Sequence, residues 1–314
     1  MNKITIIGAG RVGEAAGQVI ATRNLARNIV LMDINEGVAK GSALDIQEAA
    51  PLFCFDTRVT GSTQAKDMQD SDLIIITAGI PRKPGMSRTD VLETNIKILD
   101  GILDNILRYA PHCMILVVSN PVDILTYHTW RRTGWDRSRI FGQAGVLDSA
   151  RMAAFVALET GLSVRNISAM VLGGHGDAMV PMTRFTTIAG IPIQYFLDKE
   201  VIANIVERSR FGGAEILALK QNSSAYDAPA AAIAEMVESI VLARHQVLPT
   251  VAILQNEYGE TGIAMGVPCI LGQTGIEKII SLELNAEEQK MFDKTIILLK
   301  AGLKKLDQIL SKPS

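Results

Sequence analysis

Residues 4–33 constrain this chain more than any other stretch. Ile4 to Ile7 is a short apolar run ending at a glycine, the pattern of a buried strand. Gly8-Ala9-Gly10-Arg11-Val12-Gly13 follows at once, and Glu14 to Arg23 reads as a helix. A second strand, Asn28 to Met32, ends in Asp33, 20 residues after Gly13. A GxGxxG loop alone is common. Strand, loop, helix, strand and terminal acid in this order are a specific sign of a βαβ dinucleotide site. The glycines let backbone turn tightly and approach a pyrophosphate, and the helix N-terminus supplies N–H groups and a positive dipole end. Asp33 is suited to accept hydrogen bonds from the adenosine ribose hydroxyls and to repel a 2′-phosphate, which predicts NAD over NADP.

Further strands and helices alternate behind this unit. Asp72 to Gly79 and Cys113 to Ser119 read as buried strands, the second closed by Asn120-Pro121. Between them, Ile80 to Thr89 (IPRKPGMSRT) has no helix or strand period and reads as a mobile loop. Asp90 then caps a helix with Glu93 as capping-box partner, and its stripe is Leu92, Ile96, Leu99, Leu103, Ile106 and Ala110. This alternation predicts a doubly wound parallel sheet with ligands at the strands' C-terminal ends. After the short strand Arg139 to Gly142 we place a domain boundary, giving 1–143 and 144–314.

The second half mixes element types. Val146 to Thr160 is a helix stopped by Gly161, with Asp148 and Arg151 on one face. Asn166 to Leu172 reads as a strand running into Gly173-Gly174-His175-Gly176-Asp177. Pro181 to Thr187 and Ile191 to Ile193 read as a hairpin about Ala189-Gly190. Lys199 to Gln221 reads as a helix interrupted at Gly212-Gly213. Asp227 caps another, with Pro229 in its first turn, that runs to His245. Val251 to Leu254 and Val267 to Leu271 read as strands. Asn285 with Glu288 caps the last helix, whose stripe is Phe292, Ile296, Leu299, Leu303 and Leu306.

Composition narrows the partners. A net charge of −2 argues against nucleic acid or an anionic membrane, which need a basic surface. An anionic small molecule would have to be caught by a few local arginines. Cys54, Cys113 and Cys269 are far apart in apolar surroundings, so buried reduced thiols in a cytoplasmic protein are expected. No metal-ligand spacing appears. There is no signal-peptide pattern, and no apolar run approaches the roughly 20 residues of a membrane helix.

The chain resembles the lactate/malate dehydrogenase superfamily, and within it the lactate-dehydrogenase-like malate dehydrogenases. The resemblance rests on GAGRVG (8–13), TAGIPRKPGMSR (77–88), SNPVD (119–123), LDSAR (147–151) and GGHGD (173–177), in the family's order across both halves. It implies a Rossmann domain followed by an α+β substrate domain, and reversible NAD-dependent oxidation of (S)-malate to oxaloacetate. His175 would take the hydroxyl proton and return it in reduction, a task suited to a group titrating near neutral pH. Asp148 would orient it. Arg151 would grip the substrate's C1 carboxylate with a fork that lysine cannot copy. Arg88 would polarise the reacting carbonyl. Arg82 stands where lactate dehydrogenases have glutamine, and adds a cation for a second carboxylate. Asn120 would contact substrate and nicotinamide, while Val118, Ser119 and Asn95 would lie along the cofactor with Gly8, Ala9, Gly10, Arg11, Val12, Gly13 and Asp33. The family also implies a homo-oligomer, dimer or tetramer.

On the residues alone, other readings stand beside these. Arg151 and Asp148 fit an ordinary i,i+3 ion pair, Arg88 a solvated loop cation, and Asn95 an unremarked helix residue. His112, His128 and His245 suit surface or cap roles. A lactate or other 2-hydroxyacid dehydrogenase is the nearest rival, and Arg82 speaks against it. A non-catalytic nucleotide-binding relative is the other, and the joint presence of Asp148, Arg151, His175, Arg88 and Arg82 speaks against that. Asn222 to Asp227 departs from relatives that often carry a glycine and a second aromatic there.

Overall fold

The computed structural model describes residues 1–81, 88–221 and 223–311, the side chains of Arg88 and Asp177 excepted. Arg82 and the rest of the 82–87 stretch lie outside the described residues, as does Asn222. The first half runs β1 (Lys3–Ile7), α1 (Arg11–Thr22), β2 (Asn28–Met32), α2 (Glu36–Glu48), α3 (Ala50–Phe53), β3 (Arg58–Ser62), β4 (Leu73–Ile76), α4 (Arg88–Tyr109), β5 (Met114–Val117), α5 (Val122–Thr133) and β6 (Ile140–Gly142). Next come α6 (Gly145–Thr160), β7 (Ile167–Ser168), β8 (Val171–Gly173), β9 (Met179–Pro181), β10 (Thr187–Ile188) and β11 (Ile191–Pro192). The chain ends with α7 (Lys199–Lys220), α8 (Asp227–Val241), β12 (Gln246–Gln255), β13 (Thr261–Gly272), β14 (Gly275–Ile279) and α9 (Ala286–Leu310).

The six strands of the first half pair in parallel in the order β3-β2-β1-β4-β5-β6, the doubly wound Rossmann arrangement. Their continuous apolar runs follow from burial on both faces. Side chains alternate across a strand. Ile4, Ile6, Leu73, Ile75 and Leu116 therefore pack with α1, α2 and α8, while Ile7, Ile74, Ile76, Ile115 and Val117 pack with α4 and α5. The stripe expected on α4 is buried throughout. The crevice where strand order reverses opens between the C-terminal ends of β1 and β4.

The sheet does not stop at β6. Val251 of β12 pairs antiparallel with Gly142, and β13, β8 and β9 extend the sheet, with β14 on β13. A second, three-stranded sheet has the order β11-β10-β7. The capping box of Asn285 and Glu288 on α9 forms as expected.

Several expectations are corrected. The segment 166–172 is not one strand: Ile167–Ser168 pairs with β10 in the small sheet, and Val171–Gly173 pairs with β13 and β9 in the main one. Pro181 to Thr187 is likewise broken, by a 3₁₀ turn at Thr183–Phe185, so only Thr187–Ile188 and Ile191–Pro192 form the hairpin at Ala189-Gly190. α7 passes through Gly212-Gly213 without interruption. α8 ends at Val241, and the left-handed backbone of Ala243 and His245 turns the chain into β12. α4 begins at Arg88, before Asp90. Cys54 is exposed at the end of α3; only Cys113 and Cys269 are buried. His128 is buried as well, its Nε2 2.8 Å from an Asp100 carboxylate oxygen. Local spacing could not reveal that packing of α5 on α4.

Candidate active site

The glycine loop divides its labour. Gly10 is the extended N-cap of α1, so Gly13 already lies in the first helical turn. A Cβ on Gly13 would overlap the Gly8 carbonyl oxygen, so Gly13 serves the packing of helix against strand. A Cβ on Gly10 would meet nothing within 4 Å. That open space lies at a helix N-terminus, where backbone N–H groups favour an anion, and it fits a dinucleotide pyrophosphate. Asp33, just past β2, accepts the Ala9 N–H on Oδ2 and the Asn35 N–H on Oδ1, both at 3.0 Å. These bonds fix the carboxylate beside the loop, and each oxygen keeps a lone pair for a hydroxyl. Arg11 is exposed and lies over the Tyr226 ring at 5.5 Å, and Lys220 approaches that ring at 3.9 Å. The glycine loop thus touches the segment before α8.

The ends of β4 and β5 are tied together by polar bonds. Asn95 of α4 is 3% exposed. Its Oδ1 accepts the Ile80 N–H at 2.8 Å, and its Nδ2 donates to the Asn120 carbonyl at 2.7 Å and the Ile80 carbonyl at 3.3 Å. The helix-interior asparagine is therefore a clamp between two strand ends. Ser119 is buried, its hydroxyl turned to the Ala78 and Ile76 carbonyls. Val118 is half-buried, and Asn120 is exposed at the crevice before a cis bond to Pro121.

The second cluster gathers residues from three elements. Asp148, in the first turn of α6, is 2% exposed. Its Oδ2 lies 2.9 Å from His175 Nδ1, and its Oδ1 accepts from Arg151 Nη1 at 3.2 Å. One buried carboxylate thus holds both the imidazole and the guanidinium. The Arg151 side chain is largely buried, and its Nε has no hydrogen-bond partner among the described residues. α7 crosses it through Gly212, where a Cβ would come within 3.3 Å of Arg151 Cδ. The two glycines expected to break α7 instead let it pass close to the arginine.

His175 is held in place by backbone. Gly173 and Gly176 have φ of +85° and +78°, conformations that side-chain-bearing residues resist. Burial works against a charged His175 ring. Asp148, by charge and hydrogen bond, and then Asp123 outweigh that cost, so its pKa lies above the ordinary histidine value despite the opposing charge of Arg151. Asp123, in the first turn of α5, accepts the His175 backbone N–H at 3.2 Å. The SNPVD motif contained Asp123, but no local pattern gave it a role; its partner lies 52 residues away. Arg88 opens α4. No group of three or more metal-binding side chains gathers among the described residues.

Residues 2–142 match the family described as lactate/malate dehydrogenase, NAD binding domain, and residues 145–309 match lactate/malate dehydrogenase, alpha/beta C-terminal domain. The chain belongs to the lactate/malate dehydrogenase family, and its first half is a nicotinamide-dinucleotide-binding domain. A malate dehydrogenase of Thioalkalivibrio sulfidiphilus is 64% identical over 94% of this chain and 96% of its own length. The apo structure of malate dehydrogenase from Picrophilus torridus superposes with a TM-score of 0.96 at 40% identity, covering 99% of this chain and 98% of that one. A lactate dehydrogenase of Cryptosporidium parvum, complexed with lactic acid and nicotinamide adenine dinucleotide, superposes at 0.93 with 35% identity, covering 99% of both chains. Backbone shape alone therefore does not separate the two activities.

Proposed function

We infer that this enzyme is an NAD-dependent malate dehydrogenase that interconverts (S)-malate and oxaloacetate. The observation that carries the reading is the Asp148 carboxylate, shared between His175 Nδ1 and Arg151 Nη1. With Nδ1–H donating to Asp148, a neutral His175 keeps its lone pair on Nε2, the form a proton acceptor requires. Arg151, anchored by Nη1 on the same carboxylate, brings a planar guanidinium to this cluster, a group suited to a carboxylate. The malate dehydrogenase relative, at 64% identity, supports the same assignment.

In malate oxidation, Arg151 binds the C1 carboxylate and fixes the C2 hydroxyl against His175 Nε2. His175 removes the hydroxyl proton, and Asp148 stabilises the imidazolium that results. The bound dinucleotide supplies the hydride acceptor at its nicotinamide ring. Arg88 stabilises the charge developing on the C2 oxygen, and Asn120 orients the same end of the substrate at the tip of β5. Arg82 pairs with the distal carboxylate, which malate and oxaloacetate have and lactate and pyruvate lack. Gly10 and the start of α1 receive the pyrophosphate, and Asp33 accepts the ribose hydroxyls and disfavours NADP. Ser119 and Asn95 support the cofactor crevice by holding strand ends. The same reading takes the substrate half as starting at 144 and the enzyme as a cytoplasmic homo-oligomer, dimer or tetramer. Exposed Leu52, Leu158 and Leu219 on α3, α6 and α7 suit burial by a second copy.

The test is steady-state oxidation of NADH and of NADPH with oxaloacetate and with pyruvate. Oxaloacetate should exceed pyruvate in kcat/KM by about a hundredfold or more, the value of one unpaired buried charge. NADH should exceed NADPH by about tenfold or more, which one repulsion of ~1.4 kcal/mol already gives. Equal rates with the two acids would refute the substrate assignment, and equal rates with the two nucleotides the role of Asp33.

A further inference from the structure

Among the described side chains, Asp123 is the most deeply placed acid near the imidazole after Asp148. It is 7% exposed. Its Oδ2 accepts the His175 N–H at 3.2 Å, and its Oδ1 is buried without a hydrogen-bond partner among the described residues. A carboxylate left half-satisfied in a core costs stability.

We propose that Asp123 is a positioning residue for the proton transfer: it ties the His175 loop to the start of α5 and adds a second negative charge, besides Asp148, that stabilises the imidazolium. The proposal rests on the reading of His175 as proton acceptor. Asp148 acts on the ring through Nδ1. Asp123 acts through the backbone of the same residue and through its charge. The groups that face it are His175 from the loop after β8, Asp148 from α6, and the backbone N–H of its own helix start; Arg151 acts on the His175 ring. α9 packs on the loop with Leu299 near Gly174 and with the Thr295 hydroxyl on the Ala178 carbonyl. Burial pushes the Asp123 carboxyl up to about 6, against the pull of the His175 N–H and charge and with a push from Asp148. Its charge is therefore present through the neutral range in which the imidazole works, and the dry surroundings leave that charge little screened.

The experiment compares the pH dependence of kcat/KM for malate oxidation in wild type, Asp123→Asn and Asp123→Glu. Malate oxidation needs a neutral imidazole, so activity rises as His175 loses its proton. Asparagine can still accept the His175 N–H but carries no charge. Asp123→Asn should therefore move the rising limb down by about one pH unit, a tenfold change in the imidazolium equilibrium. NADH affinity should stay unchanged while kcat falls. Asp123→Glu should return the limb toward wild type even where packing suffers. A limb that stays in place in Asp123→Asn, or that moves alike in both variants, overturns the proposal. If Asp123→Asn does not fold, NMR titration of the wild-type His175 Cε1 proton decides. A second inflection below that of the imidazole, from Asp123, supports the coupling, and a single inflection overturns it. His175→Asn serves as control. Turnover retained in that variant would mean that the reading of His175 has itself failed, whereas an unmoved limb in an active Asp123→Asn enzyme defeats this inference alone.

Discussion

The glycine loop and the His175 cluster work by opposite means. The glycine loop acts through backbone: Gly10 leaves space, Gly13 lets α1 lie against Gly8, and the only fixed acid is Asp33. The His175 cluster acts through side chains collected from α5, α6 and the loop after β8, with one buried carboxylate serving two partners. In the proposed reading the first is contiguous in sequence because consecutive N–H groups suit a phosphate, and the second is scattered because acid–base work and carboxylate recognition need particular functional groups at particular distances. Damage to the two should therefore read out differently. Losses in the loop should appear as cofactor affinity or stability, and losses in the cluster as turnover or substrate choice.

The largest effect is expected at Arg82. Arg82→Gln should lower kcat/KM for oxaloacetate by at least about a hundredfold, since breaking a buried ion pair costs about 3 kcal/mol or more. Pyruvate should improve, because an unpaired cation no longer has to be buried with it. Arg88→Gln should lower both substrates alike, since both carry the reacting carbonyl. Kinetics with the two substrates on each variant check this. A common loss factor in Arg82→Gln would remove Arg82 as the reader of the second carboxylate.

How legible each half was follows from the same contrast. The order of strand, loop, helix, strand and acid carried the dinucleotide fold, because every part of it is local. The α4 and α9 stripes and the Asn285 cap were readable for the same reason. Asp148 and Arg151 shared a helix face, so their proximity was readable, but nothing local joined them to His175; the family motifs did. Asp123, the burial of His128 on Asp100, and the passage of Gly212 over Arg151 depend on packing between distant elements. The misread break at Gly212-Gly213 has the same origin. Glycine is a poor helix former, yet tertiary packing here calls for the absence of a side chain.

Within the loop, two single-methyl changes should separate. Gly13→Ala should destabilise the fold by about 1–3 kcal/mol or more, as overpacking does, because its Cβ overlaps the Gly8 carbonyl. Gly10→Ala should leave the melting temperature nearly unchanged but weaken NADH binding about tenfold, the equivalent of ~1.4 kcal/mol, because its Cβ projects into open space. Thermal melts and NADH fluorescence titration on both variants are sufficient. Equal NADH affinity in wild type and Gly10→Ala would contradict the assignment of that space to the cofactor.

The most direct measurement separates binding from turnover at His175. His175→Asn keeps the size of the side chain near the site but cannot take the proton. The account predicts NADH affinity equal to that of wild type, read by fluorescence titration, together with a loss of about a hundredfold or more in kcat for malate oxidation and oxaloacetate reduction. Turnover within a few-fold of wild type, or a loss explained entirely by weakened NADH binding, would contradict it.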